Sequence, residues 1–94
     1  MALLTDSETQ QQLAGVPQWQ LGEDATIVRD LAFADFAAAI AFVDRVAAAA
    51  EAVNHHPDIL VHGWNKVRLT LSTHSAGGLT AADFQLAAQL DQLV

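Results

Sequence analysis

Three of the four histidines in this sequence fall in two short stretches, Asn54-His55-His56-Pro57-Asp58 and Thr73-His74. Imidazole is the side chain whose unperturbed pKa, ~6.5, lets it give and take protons near neutrality. Both stretches sit where regular elements end, which is where chemistry is usually displayed. Carboxylates stand nearby. Glu51 falls one turn before His55 and is either an orienting partner for that imidazole or a solvated helix charge. Asp58 either accepts a hydrogen bond at the edge of a site or ends the turn. Asp83 reads most simply as a helix-terminus residue, with a functional role as the lesser reading. His62 reads as incidental.

A tri-histidine metal centre competes with acid/base chemistry. Adjacent residues in an extended segment point to opposite sides, so His55 and His56 are poorly placed to share an ion, and the sequence has no His-x-x-x-His pair. No metal ligand is assigned on these grounds. Neither Ser72 nor Ser75 lies in a Gly-x-Ser-x-Gly elbow, and Gly77-Gly78 is too short for a phosphate loop and reads as a place where positive φ is needed.

The elements that must position these groups can be read in order. Thr5-Asp6-Ser7-Glu8 offers N-cap candidates with an acidic first turn, so a short helix anchored by Leu4 and Leu13 is expected to end near Gly15 and Pro17. Trp19 and Leu21, then Ile27 and Leu31, alternate around Gly22-Glu23-Asp24 and predict a β-hairpin, with Trp19 in the core. Residues 34–53 form the longest periodic segment, an alanine-dense helix with Asp35 near its start. Its apolar arc joins Phe36, Ile40, Val43 and Ala47 to Phe42, Val46, Ala49 and Val53, wider than the ~100° that one packing face needs. The surplus fits either helices of the same chain or a second subunit equally well. Pro57 is expected to stop this helix and to make His56 extended.

A strand starts at Ile59, and His62-Gly63-Trp64-Asn65 predicts a turn or bulge. Lys66 to His74 then alternates cleanly, with Val67, Leu69 and Leu71 on one face and Arg68, Thr70, Ser72 and His74 on the other. Antiparallel pairing of the two strands would set His55 and His56 beside His74. Ser75-Ala76-Gly77-Gly78 reads as a turn. Thr80 with Asp83 resembles a capping box, opening a last helix that carries Phe84, Leu86, Ala87, Leu90 and Leu93. The order α-β-β-α-β-β-α predicts an α+β fold, an antiparallel four-stranded sheet with three helices on one face.

Composition narrows the function. Ninety-four residues suit one domain, 1–94, and nineteen of the apolar 52% are alanine, so the core is expected to be thin and association to help it. Seven excess negative charges oppose binding to nucleic acid. No apolar run approaches the ~20 residues of a membrane span, and the start Met1-Ala-Leu-Leu-Thr-Asp lacks a signal peptide's basic and apolar regions. The absence of cysteine removes disulfides and thiol chemistry and fits the cytoplasm.

At Glu51-Ala-Val-Asn-His-His-Pro-Asp58, Trp64-Asn-Lys-Val-Arg-Leu-Thr-Leu-Ser-Thr-His74 and Gly78-Leu-Thr-Ala-Ala-Asp83, in register with the long helix, the chain resembles the pterin-4a-carbinolamine dehydratase family. The resemblance implies dehydration of 4a-hydroxytetrahydropterin, the product left by an aromatic amino acid hydroxylase, to quinonoid dihydropterin without metal or organic cofactor. It implies that His55 and His74 are the acid/base pair, with acid and base unassigned, and that His56, Pro57, Glu51 and Asp83 contribute to substrate binding. It also admits a hydroxylase or other protein partner, because some relatives act as dimerisation cofactors or enzyme-assembly factors, while the thin core, the wide apolar helix and exposed sheet edges predict a homo-oligomer, dimer or tetramer. Two departures stand out. Asn54 occupies a position often acidic in relatives, and the segment from Pro57 to Trp64 is one residue longer than in many, with a bulge expected near His62-Gly63.

Overall fold

The computed structural model describes residues 2–94; Met1 and what was read from it lie outside the described residues. Helix α1 (Asp6–Ala14) is followed by strands β1 (Gln20–Leu21) and β2 (Ile27–Ala32), helix α2 (Phe36–Val53), strands β3 (Asp58–His62) and β4 (Lys66–Leu71), a 3-10 turn at His74–Ala76, and helix α3 (Ala81–Asp91). The strands form one antiparallel sheet in the order β1-β2-β4-β3. This is the α+β arrangement that the order of periodicities predicts, with the three helices against one face of the sheet.

Local chemistry accounts for the helix boundaries. The Thr5 hydroxyl accepts the Glu8 N–H while the Glu8 carboxylate accepts the Thr5 N–H, a reciprocal cap that satisfies two donors the helix cannot. Asp35 caps α2 by accepting the Ala38 N–H at 2.7 Å. At its other end α2 stops at Asn54, which turns into the left-handed region at φ 51. Its N–H closes on Glu51, and the His55 N–H reaches back to the Ala50 carbonyl at 3.1 Å. The helix therefore ends three residues before Pro57, and asparagine, whose short amide side chain tolerates this conformation, is the stop signal.

Alternation in β4 puts Val67, Leu69 and Leu71 in the core with Ile27 and Leu31 of β2. Against them lie Ala39, Phe42 and Val46 of α2, Phe84, Leu86, Ala87 and Leu90 of α3, and the loop residues Val16 and Trp19. Trp19 hides its ring and donates its indole N–H to Asp91 at 2.9 Å, a carboxylate that also pairs with Arg29. On the open face, Arg68 makes two hydrogen bonds to Asp30, and these hold the Asp30 carboxyl below its ordinary range.

Three expectations change. The wide arc of α2 splits: Ala39, Phe42, Val46 and Ala50 are buried in the chain, whereas Phe36 and Val53 stay 54% and 47% exposed. Strand β4 ends at Leu71, because the chain leaves the sheet to enter the turn that carries His74. The pairing of β3 with β4 runs unbroken from Asp58↔Thr70 to His62↔Lys66, so no bulge forms. The turn between the strands takes up the length, with Gly63 and Trp64 both at positive φ. Among the described residues, no helix is long and apolar enough to cross a membrane.

Asn54 provides a direct test of how α2 ends. Replacing it with alanine forces an unfavourable left-handed φ and should lower the unfolding free energy by about 1 kcal/mol in urea titration, whereas Asn54→Gly should lose far less. Equal losses would show that the cap conformation is not what matters.

Candidate active site

The left-handed cap at Asn54 decides where the histidines go. Having reversed the chain, it turns His55 inward toward the start of α3 and leaves His56 over the exposed side of α2. The His55 side chain is 17% exposed, and its Nε2 lies 2.6 Å from Oδ1 of Asp83, whose side chain is completely buried. The His56 Nε2 lies 3.1 Å from Glu51 Oε1, and both of those side chains are more than half exposed. Glu51 is thus the partner of His56. The one-turn spacing to His55 would matter only if the helix continued, and it stops at Asn54.

Asp83 draws three donors from three parts of the chain. Thr80 N–H and the Thr73 hydroxyl both reach Oδ2 at 2.9 Å, and His55 takes Oδ1. The oxygens of Thr73 and Thr80 are 2.8 Å apart. A hydroxyl has one proton, so with Thr73 donating to Asp83, Thr80 must donate to Thr73. The polarity of the chain is then fixed: Thr80 to Thr73 to Asp83. Surrounded by donors, Asp83 is an acceptor, so the hydrogen between it and His55 belongs to Nε2. Nδ1 is left as the atom of His55 that can exchange a proton with a bound molecule.

His74 follows Thr73 directly and opens the 3-10 turn. That turn closes at Gly77, whose φ of 77 suits glycine and whose N–H donates to the carbonyls of Thr73 and His74. A bridge between Thr73 and Gly78 fastens the turn to the end of β4. Because Asp58, at the start of β3, pairs with Thr70, near the end of β4, the segments bearing His55, His56 and His74 meet at one end of the sheet. His62 begins the turn at the other end of β3, four residues or ~13 Å away, outside this group.

A small hollow of ≈ 160 Å³ lies beside His55, bounded by Val53, Ala82, Gln85, Leu86 and Gln89. That is below the ~300–1,000 Å³ that encloses a typical small ligand, so a molecule seated there keeps part of its surface in water. A roomier cleft of ≈ 590 Å³ runs between the Leu3-Leu4 segment and Gly77-Gly78 and is lined by none of the histidines. The donor set rather than cavity size locates the site.

Asp83 lies within the group but is closed off by its own partners, and His55 is the one among them that is partly exposed. Thr73 and Thr80 carry no mark in the sequence as site residues. Thr80 is visible there as a helix cap, and nothing shows that its box turns inward to hold a histidine.

The family model described as "Pterin 4 alpha carbinolamine dehydratase" matches residues 2–93. A protein of Chloroflexus aurantiacus named "Putative pterin-4-alpha-carbinolamine dehydratase" is 52% identical over 94 residues, covering all of this chain and 99% of the relative. One of the same name from Acidobacterium capsulatum is 48% identical over the whole of both chains. Among solved structures, a transcriptional coactivator/pterin dehydratase from Brucella melitensis superposes with a TM-score of 0.91 at 33% identity, covering 98% of each chain. A pterin dehydratase-like protein described as a RuBisCO assembly factor in the alpha-carboxysome gives 0.68 at 31% identity, over 81% of this chain and 88% of that one.

The buried and the exposed histidine pairs should differ in stability. Asp83→Ala removes the acceptor for three buried donors and should cost about 3 kcal/mol in chemical denaturation. Glu51→Ala, in a solvent-screened pair, should leave the midpoint almost unchanged.

Proposed function

The chain belongs to the pterin 4 alpha carbinolamine dehydratase family, and from that premise we propose that it converts a 4a-hydroxytetrahydropterin to the quinonoid dihydropterin by histidine acid/base catalysis, as a step of pterin recycling in the cytoplasm. The observation that carries this reading is the His55–Asp83 contact, an imidazole fixed by a buried carboxylate with one ring nitrogen left for substrate. In the reaction, the bond from C4a to its hydroxyl breaks and the oxygen leaves as water after accepting a proton. A base takes the proton of the adjacent ring nitrogen, whose electrons form the new C=N bond. One imidazolium and one neutral imidazole supply both functions.

We assign these roles to His55 and His74. His55 works through Nδ1, held in register by Asp83, and His74 is presented by its turn on the other side of Thr73. His56, on the exposed rim with Glu51, binds substrate, and Pro57 fixes the direction in which His56 leaves the loop. Asp83 serves the substrate indirectly, as the group that orients His55. No metal or organic cofactor enters this scheme.

A second reading, that the protein is a binding or assembly module on the same fold, draws on the apolar surface left open. Phe36 and Val53 on α2 are exposed, and so, on the opposite face of the sheet and in the hairpin turn, are Leu60 at 53% and Trp64 at 63%. Association into a homodimer or tetramer would cover part of this surface.

Stopped-flow decay of chemically generated 4a-carbinolamine tests the enzymatic reading. The protein should accelerate decay over buffer, His55→Ala and His74→Ala should each lower the rate by about 10²–10⁴-fold, and His56→Ala should mainly raise KM. A rate equal to that of buffer sinks the proposal. Light scattering at micromolar concentration should give a mass above the 10.0 kDa of one chain; a monomer would remove the assembly argument.

A further inference from the structure

Thr73 touches both halves of the histidine group. Its side chain is nearly buried, and its hydroxyl donates to Asp83 Oδ2 at 2.9 Å while standing 2.8 Å from the Thr80 hydroxyl. Its backbone serves a different structure. The Thr73 N–H donates to the Gly78 carbonyl at 2.9 Å, and the Thr73 carbonyl accepts from Ala76 and Gly77 at 3.0 Å and from Gly78 at 3.3 Å. Those bonds build the turn whose first residue is His74.

We propose that Thr73 is a positioning residue for both histidines: its hydroxyl sets the Asp83 carboxylate that holds His55, and its backbone anchors the turn that presents His74. The two functions reside in different atoms and are therefore separable. A carboxylate turns about its last bond at little cost, since that torsion is broad. Thr80 N–H and Thr73 O–H both aim at Oδ2 and together stop that rotation, leaving Oδ1 directed at His55 Nε2. Without the hydroxyl, Oδ2 keeps the backbone donor alone, and the alignment of Oδ1 with Nε2 loosens. The hydrogen on His55 is then no longer confined to Nε2, and part of the population carries it on Nδ1, the atom needed for proton transfer. Valine matches the shape of threonine without its hydroxyl, and it leaves every backbone bond of the turn intact.

This inference rests on the proposed acid/base reading for its catalytic meaning, but its first test needs no pterin. Long-range ¹H–¹⁵N spectra of the unsubstituted protein should show His55 as the Nε2–H tautomer and a slowly exchanging Thr73 hydroxyl proton. In Thr73→Val, the His55 pattern should move toward a tautomer mixture while His74 keeps its signals, and Thr73→Ser should restore the original pattern. The dehydration rate should follow, with kcat about 10-fold lower, the equivalent of one charge-assisted hydrogen bond, KM nearly unchanged, and recovery in the serine variant. A folded Thr73→Val protein with unaltered His55 signals overturns the proposal, as does a displacement of His55 and His74 together, which would mark general loosening. A Thr73 hydroxyl exchanging at the solvent rate overturns it even where the valine variant does not fold. If the spectra respond as expected and the unsubstituted protein shows no dehydration, the reaction reading fails and the positioning of His55 stands.

Discussion

A carboxyl group taken wholly out of water is tolerated only if hydrogen bonds replace the solvent it has lost. Asp83 has that replacement, and its sources explain much of the molecule's arrangement. One donor comes from the loop after α2, one from the segment after β4, and one from the residue that caps α3. The histidine is 28 residues from the carboxylate while the two threonines are near it in the chain, and the sheet brings the histidine in by pairing the start of β3 with the end of β4. The cap of α3 is thus also the place where three stretches of chain are tied. Because Oδ2 is filled by the cap and the threonine, Oδ1 is free to hold a histidine, and a feature that many helices use for local stability also fixes an imidazole.

The two adjacent histidines show how one backbone torsion can separate two roles. A helix continuing past Val53 would have carried His55 along its surface, one turn beyond Glu51. The left-handed residue at Asn54 instead directs His55 to a buried partner and His56 to an exposed one. The buried pair is held among further hydrogen bonds, while the exposed pair is screened by water.

Much of the fold was legible from periodicity. The alanine-dense helix and the Thr80-to-Asp83 cap follow from local rules and lie where those rules put them, and the alternating strand from Lys66 does so as far as Leu71, short of the expected end at His74. The features that escaped depend on contacts made across the fold. The partner of His55 is 28 residues away, and no local spacing links them. Glu51 looked like that partner because helical spacing was extended past a residue that ends the helix. Thr73 looks like any β-branched residue in a strand, and only the approach of α3 gives its hydroxyl an acceptor. Asn54 did carry a signal, since asparagine is a common left-handed cap, but Pro57 nearby offered a more familiar reason for the helix to stop.

The outward side of α2 sets Ala37, Ala41, Ala48 and Ala52 among the charged side chains of Asp44, Arg45 and Glu51. Alanine has no side-chain rotamers to freeze, so the alanine positions of this side would lose almost no conformational freedom under another surface, and the ordering would fall on the three charged side chains. Short side chains also let a second backbone come close. The alanine content that limits how much apolar bulk the interior can hold therefore also lowers the entropy lost where those alanines are covered, and the two properties share one cause.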